Sequence, residues 1–246
     1  MSVGPGYGET PLDPEEADAL TPQAREIFGD EPKKIDLYEA EQAINDEVSI
    51  ALLDDIADGR LVLTDILTDA FLRDLHQKLY GDLWTWAGRY RTRDLNIGVD
   101  PERIAVELRG SLDNIRYRWE HTDDWTAREL GIVVHAEIVR IHGFVDGNGR
   151  TTRLLADLVF PAVQDSEAIA ATYDWEIDKR QYIAVLRQYD LTRKLRGTPP
   201  IRGFARTGQA ALSCSWFESR YPSSFETPGS PGVFALCRAA AGRPEA

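Results

Sequence analysis

The sequence predicts an all-α protein, a mostly helical bundle, and three observations carry that prediction. Apolar residues recur at spacings of three and four through several long stretches. Helix-start signals stand in front of those stretches. The 246 residues show no internal repeat and suffice for one sizeable core with appendages.

Taken in order, residues 1–34 are rich in Pro, Gly and acids and are expected to be extended or partly disordered. A helix is expected over about 36–58, within a segment spanning 35–59. Leu37, Ile44, Val48, Leu52 and Ile56 form its apolar stripe, and Gly59 stops it. Thr64 is the expected N-cap of the next helix, with Leu67, Phe71, Leu75 and Leu79 at spacings of four. Trp84 and Trp86 read as core aromatics.

Residues Arg89–Val99 read as a short β-hairpin or ordered loop. Asp100-Pro101 then opens a helix whose buried face is Ile104, Leu108, Leu112, Ile115 and Trp119. Thr126-Ala-Arg-Glu129 is a capping box for the helix carrying Leu130, Val134, Ile138 and Ile141. Further helices are expected from about Arg150 and over about Asp178–Tyr189. The main domain is expected over 60–205. Residues 206–246 are expected to be a disordered tail, because positions 197–246 hold 6 Gly, 6 Pro and 6 Ser without any period.

Composition narrows the function classes. Net charge is −13, and residues 1–58 alone, with 16 acids and 3 bases, account for it. The rest is neutral, which disfavours a sequence-independent nucleic-acid binder. No apolar run approaches 18 residues, so no membrane partner is expected. The N-terminus lacks the pattern of a secretory signal. The only cysteines, Cys214 and Cys237, lie near the C-terminus, which fits a cytoplasmic location.

The most informative stretch is His142-Gly-Phe-Val-Asp-Gly-Asn-Gly-Arg-Thr-Thr-Arg153. Gly147-Asn148-Gly149 precedes a helix start, where unpaired N–H groups and the helix dipole attract anions. Glycines let the backbone curl its N–H groups into a nest. Arg150 and Arg153 share a helix face and suit a di- or triphosphate. Asp146 is a single carboxylate of the kind that holds Mg²⁺ together with phosphate oxygens. His142 ends the preceding helix and is a candidate general base. Phe144 anchors the loop on the core. A calcium loop fails at Arg150 and Thr151, and the Gly-x4-Gly-Lys-Ser/Thr phosphate loop is absent. His135 reads as a core histidine, while His76 and His121 show no partner pattern.

These residues resemble the Fic (Fic/Doc) family, whose signature is His-x-Phe-x-Asp/Glu-Gly-Asn-Gly-Arg-x-x-Arg. Every fixed position is met between His142 and Arg153, with Gly143 where the common form has Pro. The resemblance covers roughly residues 60–205. Thr10–Pro14, the 36–57 helix and Trp84–Gly88 look like the branch catalogued as mobile mystery protein B.

The resemblance implies a Fic-type helical bundle with a β-hairpin flap, and transfer of AMP from ATP onto a hydroxyl of a target protein. By that analogy His142 is the base and Asp146 binds Mg²⁺. Gly147, Asn148, Gly149, Arg150, Thr151 and Arg153 bind the nucleotide, and Tyr182 lines the adenine pocket. Arg93–Val99 is the flap that docks the target by strand addition, with Ile97 and Gly98 near the acceptor. Removal of AMP, transfer of another phosphate-containing group and a non-catalytic nucleotide-binding module are the alternatives. Homo-oligomerisation is left open.

Many members of the family carry an inhibitory helix whose glutamate pairs with the second motif arginine. In the 36–58 helix Glu41 falls within the apolar stripe, whereas Glu39 points to solvent. A carboxylate on a buried stripe needs a partner. Glu41 is therefore the expected inhibitory residue, with Arg153 as its counterpart. Leu37 and Gln42 depart from the family pattern around it.

Overall fold

In a computed structural model the described residues are 12–29, 31–164, 171–176, 178–193 and 201–203. The expected tail over 206–246 lies outside them, as does the stretch before residue 12. The described residues fall into two compact units, one within 12–50 and 78–87, the other within 51–77 and 88–203. No helix of the described residues is long and apolar enough to cross a membrane.

The first unit corrects the expectation of an extended N-terminus. It holds α1 (Pro14–Asp18) and α2 (Pro22–Phe28). Both begin with Pro at the first position, where its missing N–H costs nothing. Asp13 and Glu16 form a reciprocal capping box on α1, and the Thr21 hydroxyl caps α2 through the Ala24 amide. Acid-rich composition had masked two well-formed starts.

α3 (Lys34–Ala57) follows, close to the expected span. The segment around Trp84 lies alongside Leu20: the Thr21 amide donates to Leu83 O at 2.9 Å and the Thr85 amide to Ala19 O at 2.8 Å. Trp84 is buried, as expected of a core aromatic, and stacks on Trp86 with ring centroids 5.5 Å apart. Its indole N–H donates to Glu41 Oε1 at 2.7 Å. Glu41 is 4% exposed, while Glu39 is exposed.

In the second unit the helix expected from Thr64 is broken in two. α4 (Leu63–Ile66) ends at Leu67, and α5 (Asp69–Tyr80) starts afresh. The reason is Thr68, whose hydroxyl accepts from the Phe71 amide and donates to Asp65 O. It satisfies the ends of both helices and makes the break favourable.

α6 (Ile104–His121), α7 (Ala127–Ile141) and α8 (Asn148–Ala162) follow. α7 is capped by the Thr126–Glu129 box as expected. It is buried almost all round, so it is the central helix, with α6, α8 and α9 (Lys179–Thr192) packed against it. α4 packs on α8.

A two-stranded antiparallel sheet, unforeseen in the sequence, pairs β1 (Ala171–Tyr173) with β2 (Ile201–Gly203). Asp157, on the buried side of α8, receives the Tyr173 amide and the Trp175 indole N–H, each at 2.8 Å. Tyr173 is fully buried, and its hydroxyl donates to Arg128 O. Gly131 makes this packing possible. A Cβ there would stand 2.4 Å from the Tyr173 hydroxyl and 2.9 Å from Ala156 O. Gly131→Val is expected to lower stability by about 1–3 kcal/mol, read from the urea midpoint at constant m.

Of the two forms expected for 89–99, the β-hairpin flap is corrected and the ordered loop is found. Residues 91–100 form a loop without strands.

Candidate active site

α7 stops because His142 takes the left-handed conformation, φ 54° and ψ 58°. A non-glycine residue there costs about 1–2 kcal/mol, so the surroundings must hold it. The turn places the imidazole at the helix end and sends the chain back toward α8. Burial pushes the His142 pKa down, opposed by hydrogen bonding to the Val139 backbone and reinforced by the nearby Arg91 charge. The ring is therefore neutral at pH 7 and able to accept a proton.

What holds His142 is Arg91, which sequence reasoning missed. It is 3% exposed. Its guanidinium donates to the carbonyls of His142 (2.8 Å), Arg93 (2.8 Å) and Val99. The Arg91 amide donates to Gly143 O at 2.9 Å and the Val99 amide to Ile141 O at 3.1 Å. The two ends of the 91–99 loop thus bracket His142. Gly98, at φ +95°, lies so close that a Cβ would meet His142 Cβ and Ile141 O, both at 2.7 Å. Ile97, at the loop's outer part, is 60% exposed.

Beyond His142, Phe144 is buried as expected, stacked on His76 at 3.7 Å and tilted against Tyr90 at 5.4 Å. Asn148 grips the backbone of Phe144 from both sides: its Oδ1 accepts from the amide and its Nδ2 donates to the carbonyl, each at 2.9 Å. Its side chain is buried and braces the loop. Thr151 is likewise buried, and its hydroxyl finds no hydrogen-bond partner among the described residues.

α8 begins at Asn148 after Gly147, which sits at φ 72° and supplies no side-chain cap. A Cβ on Gly149 would meet nothing within 4 Å. The helix start is therefore open in the way an anion site requires. Arg150 and Arg153 follow on its first turns. Asp146 is exposed, and its Oδ1 accepts from the Gly147 amide at 2.7 Å. Among the described residues no cluster of three or more His, Cys, Asp or Glu could hold a metal ion. A lone carboxylate fits a cation that arrives with phosphate oxygens and water.

His135 is buried, its pKa pushed down to about 3 mainly by burial, and its Nε2 is 2.8 Å from the Tyr182 hydroxyl. Burial raises the Tyr182 pKa, and the Arg153 charge opposes that rise. Trp175, oriented by Asp157, tilts against His135 at 5.0 Å. Tyr182 thus stands in an aromatic group whose other members, Trp175 and His135, carried no local sequence signal.

His76 was also missed. It is fully buried on α5, and its pKa is pushed down to about 4 by burial. Its Nδ1 accepts from the Gly88 amide at 2.9 Å, and its Nε2 lies 3.1 Å from Asp146 O. The one available sequence signal was its place between Leu72 and Leu79 on the apolar stripe.

With this geometry in place, the chain was compared with known proteins. Residues 66–160 match the model of the Fic/DOC family. Protein adenylyltransferase fic-1 of Caenorhabditis elegans is 33% identical over 91 residues, covering 35% of this chain and 18% of that protein. The Caenorhabditis briggsae protein of the same name is 31% identical over 94 residues, with the same coverage. The chain thus spans less than a fifth of the length of these relatives. A solved structure of a Fic-domain-containing signaling protein from Bacteroides thetaiotaomicron aligns with TM-score 0.50 and 25% identity. That alignment covers 63% of this chain and 58% of the other.

Proposed function

We propose that this chain, which carries a Fic/DOC family domain across residues 66–160, is a protein adenylyltransferase that moves AMP from ATP to a Ser, Thr or Tyr hydroxyl of a target protein. The observation that carries the reading is a neutral, rigidly held His142 joined by a braced loop to an open helix start followed by two arginines. The activity named for the nematode relatives points the same way.

In this reading the acceptor oxygen attacks the α-phosphorus in line, the bond to the bridging oxygen breaks, and pyrophosphate leaves. His142 takes the acceptor proton. The amides at the start of α8, with Arg150 and Arg153, bind the phosphates, and Tyr182 flanks the base. Mg²⁺, received by Asp146, would neutralise phosphate charge. The exposed loop around Ile97 and Gly98 presents the target. Such catalysis is largely positioning and charge neutralisation. The likeness of Thr10–Pro14, the 36–57 helix and Trp84–Gly88 to the mobile mystery protein B branch belongs to the same reading.

The experiment is incubation with α-phosphate-labelled ATP and Mg²⁺, alone and with cell lysate. Label on protein that disappears with His142→Ala supports the reading. ATP binding without label in any variant would overturn it in favour of a binding module.

The reading includes a brake, with Glu41 restraining transfer in cis. What supports it is a carboxylate buried on α3, 4% exposed, with one oxygen taking the Trp84 indole N–H; a buried charge of this kind gains from a cationic partner. Glu41→Gln keeps an acceptor for Trp84 and removes the charge, while Glu41→Gly removes both. Both are expected to raise labelling at least several-fold. A rise with Gly alone would point to loosening of the helix, and no rise with either would remove the brake.

A further inference from the structure

The buried histidine of α5 has no place in the chemistry so far, yet it touches the loop that carries the chemistry. Three contacts fix its imidazole. Nδ1 accepts from the Gly88 amide, so that nitrogen carries no proton. In a neutral ring Nε2 then carries the proton and donates to Asp146 O. The ring face lies flat on Phe144, with an interplanar angle of 17°.

The carbonyl that Nε2–H holds belongs to the peptide between Asp146 and Gly147. A trans peptide points its C=O and N–H in opposite directions. Holding the carbonyl on the His76 side therefore sends the Gly147 N–H to the other side, where it donates to Asp146 Oδ1 at 2.7 Å. The hydrogen bonds run in series from His76 through one peptide plane to the carboxylate. Each polarises the next.

On its other side the histidine is itself anchored. α5 grips both polar groups of Gly88: His76 takes the amide, and Arg73 Nε donates to the carbonyl at 3.1 Å. Gly88 sits at φ +67°, and a Cβ there would stand 2.9 Å from Gln77 Oε1. The anchor is tight.

We propose that His76 is a positioning residue: through the Asp146–Gly147 peptide it fixes the rotamer of the Asp146 carboxylate and so readies it to receive a nucleotide-bound divalent cation. The proposal rests on the adenylyltransferase reading. It assigns His76 no contact with substrate and no proton transfer. Groups that orient a metal-binding side chain typically contribute about 10- to 100-fold to metal affinity.

The test is the Mg²⁺ dependence of binding of a fluorescent, non-hydrolysable ATP analogue to the full chain. Wild type, His76→Phe and Asp146→Ala are compared. Phenylalanine keeps the stack on Phe144 and removes both hydrogen bonds. His76→Phe is expected to need about tenfold more Mg²⁺ for half-saturation, moving toward Asp146→Ala, with binding in EDTA unchanged. A purely structural role would lower the melting temperature and leave the Mg²⁺ midpoint of the folded fraction where it was, which would overturn the assignment. Absence of Mg²⁺-dependent binding in wild type would instead overturn the adenylyltransferase reading, and the role of His76 with it.

Should His76→Phe not fold, ¹⁵N NMR of the wild-type histidines decides. A bare Nδ1 and a protonated Nε2 on His76 at pH 7 support the assignment. The opposite tautomer or a cationic ring overturns it.

Discussion

His142→Ala is expected to lower AMP transfer by about 10²–10⁴-fold while ATP binding stays within a factor of a few. The asymmetry follows from where the imidazole sits. It ends α7 in a left-handed turn, apart from the open start of α8 where the phosphates are proposed to bind. Removing it takes away a proton acceptor and leaves the anion site in place. Alanine must adopt the same strained φ as the histidine it replaces, so the left-handed turn itself adds little to the change in stability. Single-turnover transfer and equilibrium binding of labelled ATP separate the two effects.

The pH profile of wild type carries the same signature. Burial places the His142 pKa below its ordinary value near 6.5. Transfer therefore persists below pH 6.5 and falls only as the pH drops through the lowered value, where the ring becomes protonated. An acid limb above 6.5 would contradict a buried neutral base.

Arg91→Ala is expected to destabilise the fold by about 3 kcal/mol or more and to abolish most transfer in the fraction that folds. Three carbonyls, those of His142, Arg93 and Val99, lose their donor at once in a nearly closed environment. Each buried acceptor left unmade costs about 1–3 kcal/mol, and part of the sum is recovered by water entering the loop. Against a total stability of about 5–15 kcal/mol, this is a large share. Arg91→Lys is expected to restore little, because one ammonium cannot present the planar fork that reaches three carbonyls. Urea titration measures the first effect, and transfer per folded molecule the second.

Much of the helical body was legible because its signals are local. The Thr126–Glu129 box and the apolar spacing that follows it define α7 within a few residues, and the glycines and charges of 142–153 stand in one continuous run at the start of α8. Elsewhere local signals competed. Thr64 and Thr68 are both plausible caps, and only the double use of the Thr68 hydroxyl decides for a break. α1 and α2 carry clear caps that the acidic composition obscured.

The flap was expected to be a hairpin or an ordered loop, and Arg91, by taking its carbonyls, decides for the loop. The grip of Asn148 on Phe144 went unseen because that partner is defined only once the loop has folded. His76 and Arg91 act 70 and 51 residues away from the loop they hold, and no spacing rule reaches that far.

The anchoring of the 91–99 loop has a consequence for how such a protein diversifies. Its ends are tied to the backbone on either side of His142, so the span between them behaves as an interchangeable part. Lengthening a closed loop is cheap, about 0.6 kcal/mol for each doubling. Insertions and substitutions between Arg93 and Gly98 can thus change the surface this loop presents while His142 stays where it is.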